Sequence, residues 1–437
     1  MSSGRIDAIN AMEELHQLQL EGLQATLNRA YRNVRYYHEL FKKLGLVPED
    51  VGTLSDLERL PYTTKETLRE NYPYGLFAVK LSEIMRIHSS AGTTGRPTVA
   101  GFNRNDMRHW REVSGRVLKL AGIGPGDIVH IAFGSSFFTG GAGLHHGAEE
   151  LGVTLIPTSS VDLERHARMI MDYGATVLIA TPCYALALME TFEALGVGPD
   201  AIPLKKGLLG GEPWSEDMRA LIEAALGIEA YDHYGLSEIY GSAVAAECHS
   251  RQGLHIFEDQ VIPEIIDPAT GAVLGPGREG ELVLTTITKE AMPLIRYRTG
   301  DITTLIEGVC ACGQATAGRR MARIAGRTDD SIEVSGIEIS ARMIEDILTP
   351  LVGERPRFQV IVTREGTNDI VEVRLELPEG GPDDSRERLK ETLVQAVRTQ
   401  LIDLLGSTIR LICAPPMGLS GVVEHRTKII DRRFLKP

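Results

Sequence analysis

The chain is organised around the stretch Ile87-His88-Ser89-Ser90-Ala91-Gly92-Thr93-Thr94-Gly95-Arg96-Pro97-Thr98. Its serines, threonines and glycines offer backbone N–H groups and hydroxyls to one anion, because glycine lets a backbone curl and approach closely. Arg96 adds a fixed positive charge whose forked donors suit phosphate oxygens. The spacing differs from that of a Walker A loop. The stretch therefore indicates a loop around the phosphates of a nucleotide, with a solvated turn between two strands as the alternative.

The composition is that of a globular protein with more than one domain. A chain of 437 residues is too long for one ordinary core, and 43% hydrophobic with 24% charged residues is typical of globular proteins. The net charge of -13 argues against a nucleic-acid polymer or an anionic membrane as partner, since both attract a basic face. We find no apolar run long enough to cross a bilayer and expect no signal peptide. Five cysteines make no disulfide framework, so the cytoplasm is the expected location.

Helical and strand patterns alternate along most of the chain. Apolar spacing predicts a helix over 9–44, and Thr63-Thr64-Lys65-Glu66 is typical of a helix N-terminus. Short apolar strands separated by helical lengths are predicted over 128–133, 154–157, 176–179 and 207–209. This alternation predicts an α/β fold with mainly parallel sheets flanked by helices.

Three segments follow predicted strands, and ligands of parallel sheets bind at the carboxyl ends of the strands. The first is a candidate substrate wall over 135–143, and the second is Gly210-Gly211-Glu212-Pro213-Trp214. The third is Tyr231-Asp232-His233-Tyr234-Gly235-Leu236-Ser237-Glu238, in which aromatic rings beside acids suit a flat heterocycle. Glu238 could hold Mg²⁺ through oxygen. Taken singly, each segment also fits an ordinary turn or a half-buried strand.

A second pattern consists of cysteine and histidine. Cys248 and His255 lie seven residues apart, and Cys310-Ala311-Cys312-Gly313 follows downstream in a polar turn. Thiolate and imidazole ligands in this number suit a structural Zn²⁺, with His249 as a competing ligand. The alternative is that these are ordinary residues in a reducing compartment. Cys183 lies in an apolar run and is expected in the core.

Together the segments resemble the adenylate-forming ligase superfamily, and within it the phenylacetate–coenzyme A ligase family. The resemblance runs through nearly the whole chain in the family's order. It rests on the motifs S-x-G-T-T-G-x-P-T, F-T-G-G, G-x-E-P-W, Y-D-x-Y-G-L-S-E, T-K-E-A-x-P-L-I-R-Y-R-T-x-D and G-R-x-D-D. It implies a large N-terminal adenylate-forming domain over 1–328. It also implies a small α+β lid over 329–437 that turns about Asp329.

The resemblance also implies a reaction and a set of site residues. ATP would activate an aromatic carboxylic acid, of the hydroxybenzoate, aminobenzoate or arylacetate type, to acyl-AMP, and coenzyme A would then form the thioester. The implied nucleotide-binding residues are Ser90, Thr93, Thr94, Gly95, Gly211, Glu212, Tyr231, Asp232, Asp301 and Arg327. The implied substrate-binding residues are Ser135, Phe138, Gly140, Gly211, Tyr234 and Gly235. The implied catalytic residues are Thr93, Arg96, Lys428 and Glu238, the last as the Mg²⁺ ligand.

Two departures from the family pattern leave alternatives open. Ala91 and Arg96 stand where the family usually has Ser and Lys, and His425 stands near the usual position of the catalytic lysine. Lys428 is the nearest lysine, and Arg426 is a possible substitute. One alternative is transfer of the acyl group to an amine, hydroxyl or carrier protein, and another is an impaired nucleotide-binding homologue. Ser135 favours an acid with a polar ring substituent, and the resemblance makes a homodimer plausible.

Overall fold

The computed structural model describes residues 3–89, 98–133, 139–156, 158, 162–313, 318–328, 331–334, 337–340, 344–345, 347–349, 358–365, 368–376, 392, 395, 409–414 and 429–431. None of the helices in this part of the chain combines the length and apolarity that a membrane span requires.

Two helices, α1 (Ser3–Asn33) and α2 (Arg35–Leu44), replace the single helix predicted near the N-terminus. The break falls at Val34, whose extended backbone separates them, and α2 ends at Gly45 with φ 67°. The predicted N-terminus at Thr64 is confirmed, because its hydroxyl accepts from the Thr67 N–H at the start of α3 (Lys65–Glu70). Short 3₁₀ helices cover Pro48–Asp50, Leu54–Arg59, Leu81–Glu83 and Pro199–Ala201.

The glycine- and threonine-rich stretch connects two strands of a hairpin. Strand β1 (Arg86–Ser89) pairs antiparallel with β2 (Val99–Phe102), and Ser89 lies opposite Val99. The hairpin therefore fixes both ends of segment 90–97, which itself lies outside the described residues.

Alternating strands and helices then build a parallel sheet. The elements in chain order are α4 (Arg104–Leu120), β3 (Ile128–Ile131), α5 (Thr139–Leu151), β4 (Thr154–Ile156), α6 (Leu163–Tyr173), β5 (Val177–Ala180), α7 (Pro182–Ala194), β6 (Lys206–Gly210), α8 (Glu216–Leu226) and β7 (Glu229–Leu236). The strands run parallel in the order β4-β3-β5-β6-β7. Strand β5 is buried on both faces, since its alternate residues belong to two different core clusters. The predicted α/β alternation is confirmed, with strand ends shifted by one or two residues.

After β7 the sheet continues with antiparallel strands. They are β8 (Gly241–Glu247), β9 (Leu254–Ile256), β10 (Val261–Ile266), β11 (Glu279–Thr286), β12 (Tyr297–Ile306), β13 (Arg320–Met321) and β14 (Gly326–Arg327). The connections here are too short for the crossover that a parallel pair needs, so neighbouring strands run in opposite directions. The result is one mixed sheet of 12 strands, of which the parallel part, β3 to β7, contributes five.

The C-terminal residues form a hairpin and a second sheet. The sequence over 331–339 predicts a short hairpin, and β15 (Ser331–Val334) does pair antiparallel with β16 (Ile337–Ser340). The second sheet has the order β19-β18-β17-β20 and consists of β17 (Phe358–Glu365), β18 (Asn368–Glu376), β19 (Ile409–Ala414) and β20 (Ile429–Asp431). The sequence also predicts a helix over 386–404, but only residues 392 and 395 of that range are among the described residues.

Candidate functional site

The carboxyl ends of neighbouring parallel strands meet at one place, as expected for a ligand site in such a sheet. Gly211, just after β6, has φ +82°, and a Cβ built on it would lie 3.5 Å from the Phe133 ring beyond β3. The next residue, Glu212, is buried and accepts from the Cys183 N–H at 2.6 Å. Glu212 thereby satisfies a backbone donor at the N-terminus of α7.

Asp301, Arg327 and Tyr234 form a compact polar group. Asp301 on β12 lies directly opposite Arg327 on β14, and the Arg327 guanidinium is 2.5 Å from its Oδ1. The Tyr234 hydroxyl donates to the Asp301 Oδ2 at 2.5 Å. Burial and the neighbouring carboxylate raise the pKa of Tyr234 well above its ordinary value, so this hydroxyl stays a donor. The structure thus brings the predicted pair Asp301 and Arg327 together. It also places Tyr234 in this group, although the sequence predicted a contact of Tyr234 with the aromatic acid substrate.

Glu238 lies at the C-terminal side of the predicted phosphate loop. The Thr98 hydroxyl, in the first described residue after that loop, donates to the Glu238 Oε1 at 2.9 Å. The buried ammonium of Lys289 donates to the backbone carbonyls of Glu238 and Ile239. Sequence reasoning missed both partners, although Thr98 ends the loop motif and Lys289 lies in the T-K-E-A motif.

Tyr231 and Asp232 have surroundings of a different kind. The Tyr231 hydroxyl donates to Glu229, and the Arg251 guanidinium lies 5.1 Å from its ring centroid. The Asp232 carboxylate is 3.3 Å from Arg323. Burial raises the pKa of Asp232 to about 7, and the Arg323 charge opposes that shift. In this structure, therefore, the described contacts of both side chains are with protein charges, and their adenine role stays a prediction.

Glycines hold the predicted substrate wall together. A Cβ on Gly235 would lie 1.6 Å from the Gly241 carbonyl oxygen, so no larger residue fits there. The Ser242 hydroxyl donates to the Gly140 carbonyl at 3.2 Å, and the Thr139 hydroxyl donates to Ser237 at 2.7 Å. The F-T-G-G and Y-G-L-S-E segments are thereby brought into contact.

Several predicted residues lie outside the described part of the chain, and nothing here tests their roles. They are Ser90, Thr93, Thr94, Gly95 and Arg96 of the loop, Ser135 and Phe138 of the wall, the hinge Asp329, and Lys428.

The four predicted zinc ligands are gathered in one cluster. Cys248, His255, Cys310 and Cys312 have ligand atoms that all lie within 4.8 Å of one another. The Cys248 and Cys310 sulfurs are 3.6 Å apart, and the Cys312 sulfur is 3.7 Å from the His255 Nε2. Burial lowers the pKa of His255, and the Arg320 charge lowers it further, so its ring is neutral and able to ligate. Three thiols and one imidazole are a donor set that structural zinc sites use.

Comparison with known proteins extends over the whole chain. Residues 46–288 match the AMP-binding enzyme family, and residues 336–433 match the AMP-binding enzyme C-terminal domain. The phenylacetate–coenzyme A ligase of Aromatoleum evansii is 40% identical over 437 residues, which cover 99% of this chain and 98% of that protein. The phenylacetate–coenzyme A ligase of Escherichia coli (strain K12) is 43% identical over 383 residues, covering 87% and 86%.

Solved structures of a 2-hydroxyisobutyryl-CoA ligase are also similar. Its complex with 2-HIB-AMP and CoA in the thioesterification state has a TM-score of 0.86 at 26% identity, covering 97% of this chain and 90% of that chain. The same ligase in the postadenylation state has a TM-score of only 0.69 at 26% identity, covering 96% and 90%. The chain therefore belongs to the AMP-binding enzyme family, and within that family to the phenylacetate–coenzyme A ligases.

Proposed function

We propose that this protein is an AMP-forming acid–coenzyme A ligase that uses ATP to convert an aromatic carboxylic acid to acyl-AMP and then to the coenzyme A thioester. The relatives at 40% and 43% identity support this reaction and do not favour the amine, hydroxyl or carrier-protein acceptor, nor an impaired homologue. The observation that carries the proposal is the Tyr234–Asp301–Arg327 group at 2.5 Å contacts. A carboxylate held in this way is an acceptor for the paired hydroxyls of a ribose.

In the first half-reaction the acid attacks the α-phosphate of ATP, and charge builds on the phosphoryl oxygens and on departing pyrophosphate. We assign the loop residues Ser90, Thr93, Thr94 and Gly95, with Arg96, to donate to these oxygens. The β1–β2 hairpin supports this assignment because it fixes both ends of the loop. Gly211 and Glu212 directly follow strand β6, at the carboxyl end of the parallel sheet, where we place the adenine.

Glu238 has the chemistry of a Mg²⁺ ligand. A carboxylate beside a threonine hydroxyl is a set of hard oxygen atoms, which is the set that Mg²⁺ prefers. A bound Mg²⁺ would neutralise charge on the phosphates. Glu238 would hold it through one oxygen while Thr98 orients the carboxylate.

We assign the recognition of the acid to the wall formed by Gly140 and Gly235 together with Ser135 and Phe138. Phe138 would stack on the aromatic ring, and the Ser135 hydroxyl would donate to a polar substituent. This hypothesis favours a hydroxy- or aminobenzoate over an arylacetate. The curated relatives are phenylacetate ligases, so phenylacetate is the reference acid for any test.

We propose that 329–437 is a lid that turns about Asp329 between the two half-reactions and brings Lys428 to the transferring carboxylate. The TM-score is higher with the thioesterification state than with the postadenylation state, which supports our assignment of this structure to the second half-reaction. Residue 428 immediately precedes β20, which runs parallel to β17.

We also propose a structural Zn²⁺ held by Cys248, His255, Cys310 and Cys312. Zn–S bonds of about 2.3 Å and tetrahedral angles separate two sulfurs by about 3.8 Å, and a sulfur and a nitrogen by about 3.6 Å. The sulfur–sulfur distance of 3.6 Å and the sulfur–nitrogen distance of 3.7 Å agree with these values. The ion would join the turn at 310–312 to strand β9.

The cytoplasm and a homodimer remain our proposals for location and assembly. Cys183, Cys248, Cys310 and Cys312 are not joined in disulfides, which suits a reducing compartment. Light scattering on the purified protein would measure its oligomeric state.

The test of function is pyrophosphate release against a panel of phenylacetate, benzoate, hydroxybenzoates and aminobenzoates, with and without coenzyme A. We expect release that accelerates with coenzyme A and yields a thioester. Saturating turnover of phenylacetate with none of the substituted benzoates would refute the assignment of Ser135. ATP binding without pyrophosphate release from any acid would refute the ligase reaction.

A further inference from the structure

We propose that Lys289 is a positioning residue for the Mg²⁺ ligand Glu238, because its buried ammonium fixes the backbone from which that carboxylate projects. This inference rests on the proposed function. The Lys289 Nζ donates to the Glu238 carbonyl at 2.7 Å and to the Ile239 carbonyl at 2.9 Å. Lys289 is only 1% exposed, which is rare for a lysine.

The surroundings of Lys289 hold its ammonium in one position. The Nζ lies 4.0 Å from the centroid of the Phe102 ring, at a cation–π distance. Asp106 accepts from the backbone N–H groups of Glu290 and Ala291, the two residues that follow the lysine. Burial lowers the pKa of Lys289 to about 7, and the charges of Asp106 and Glu238 oppose that shift. The lysine is therefore held at its terminal nitrogen and through the backbone of the two residues that follow it.

Glu238 is held from two sides as a result. Its backbone carbonyl accepts from Lys289, and its carboxylate accepts from Thr98 at the end of the phosphate loop. The Ile239 N–H donates to the Leu236 carbonyl at 3.1 Å, which closes the turn that carries Glu238. Removing the ammonium would leave two buried carbonyls without this donor, and the turn would move to satisfy them. A small displacement of a group that binds the reacting phosphates strongly lowers the rate.

The test compares the wild type with Lys289→Met, which keeps the length and the apolar stem of the side chain but removes the charge. Mn²⁺ bound together with α,β-methylene-ATP is measured by electron paramagnetic resonance, and AMP binding without metal is measured by calorimetry. We expect the Kd for Mn²⁺ to rise about 10- to 100-fold, as is typical when a partner of a metal ligand is removed. The Kd for AMP should change less than about threefold, since the described contacts of the Tyr234–Asp301–Arg327 group, which we assign to the ribose, do not include Lys289.

Thr288→Val is the matched control. Thr288 neighbours Lys289 in the chain, and the described contacts of its hydroxyl are with Gln260 and Tyr240 rather than with Glu238. It should leave both Kd values unchanged. If Lys289→Met does not fold, Phe102→Leu keeps the lysine but removes the ring beneath it, and a smaller rise in the Mn²⁺ Kd is expected. Equal loss of Mn²⁺ and AMP binding, or no change in the Mn²⁺ Kd, would overturn the inference. A wild type that binds AMP but no Mn²⁺ with the analogue would instead overturn the Mg²⁺ assignment of Glu238.

Discussion

A contact between the second sheet and helix α7 leads to a prediction about the two half-reactions. The Arg364 Nη2 lies 2.8 Å from the Cys183 sulfur, and that sulfur lies 3.4 Å from the Asp369 Oδ2. Arg364 also pairs with Asp369 at 2.7 Å and reaches the Met218 sulfur at 3.3 Å. Arg364 and Asp369 belong to the proposed lid, whereas Cys183 starts α7 near Glu212. A turn of the lid would separate these atoms, so the contact stabilises one arrangement only.

We predict that Cys183→Ala slows thioester formation and leaves adenylation unchanged. A hydrogen bond to a charged group contributes about 1.5–3 kcal/mol, and the lower value suits a sulfur partner. A loss of about 1.4 kcal/mol lowers the equilibrium ratio of the thioester-forming to the adenylating arrangement about tenfold. Alanine adds no unpaired charge to α7, and the Arg364–Asp369 pair remains within the lid. The expected effect is therefore a decrease of up to about tenfold in one rate rather than unfolding.

The assay separates the two steps. Adenylation is measured as exchange between ATP and labelled pyrophosphate, and thioester formation is measured in a single turnover from preformed acyl-AMP on mixing with coenzyme A. Thr191→Ala is the control, since its hydroxyl donates to the Ala187 carbonyl within the same helix. Equal decreases in both rates would show that Cys183 only stabilises the N-terminal domain. An unchanged thioester rate would refute the role of the contact altogether.

Three further predictions concern the proposed ribose contact of Asp301, the pH dependence of stability and the zinc content. Asp301→Asn should raise the Kd for AMP at least about tenfold, because the ligand loses a charged acceptor worth about 1.5–3 kcal/mol; calorimetry showing an unchanged Kd would contradict the ribose assignment. Burial, with a smaller contribution from His166, lowers the pKa of His130 to about 4. Its unfolded pKa is about 6.5, so its contribution to stability is complete above pH 6.5 and decreases by about 2 kcal/mol by pH 5. Urea unfolding of wild type and His130→Asn measures this, and parallel pH profiles would exclude it. Cys312→Ser should lower the zinc content well below the expected value of about one per chain, while Cys183→Ala retains it; zinc-free wild-type protein from zinc-replete cells would refute the site.

The parallel part of the sheet could be predicted because the sequence pattern of each strand is local. Strands such as Val177–Ala180 are short apolar runs bounded by helical segments, and a parallel pair requires such a crossover. The break at Val34 was missed because the apolar spacing continues through it, and only the extended backbone at that residue separates the helices. The pairing of the antiparallel strands was not predicted, since it depends on register between strands far apart in the chain.

The same difference between local and long-range signals decides which contacts of the site could be predicted. Asp301 and Arg327 were predicted from motifs, whereas the contact of Tyr234 with Asp301 joins residues on β7 and β12 that no local pattern connects. The alternation of side chains along β7 did carry a usable signal, because it places Tyr231 and Asp232 on opposite faces of the sheet. Because the two side chains project from opposite faces of the sheet, they lie in different environments. One of the two is therefore the weaker candidate for contact with adenine.

The T-K-E-A-x-P-L-I-R-Y motif shows why recognising a motif differs from knowing what its residues do. Glu290 accepts from Arg29 of α1 and from Asn103 at the start of α4, so it joins helices to the sheet. Arg296 has φ 47° and pairs with Glu264 at 2.8 Å, so its role in this structure is to hold a strained turn before β12. Such residues act on the ligand only through the backbone they fix. Because a buried ammonium such as that of Lys289 is stabilised only by precisely placed partners, its presence here argues that the turn at Glu238 is fixed for function rather than for stability alone.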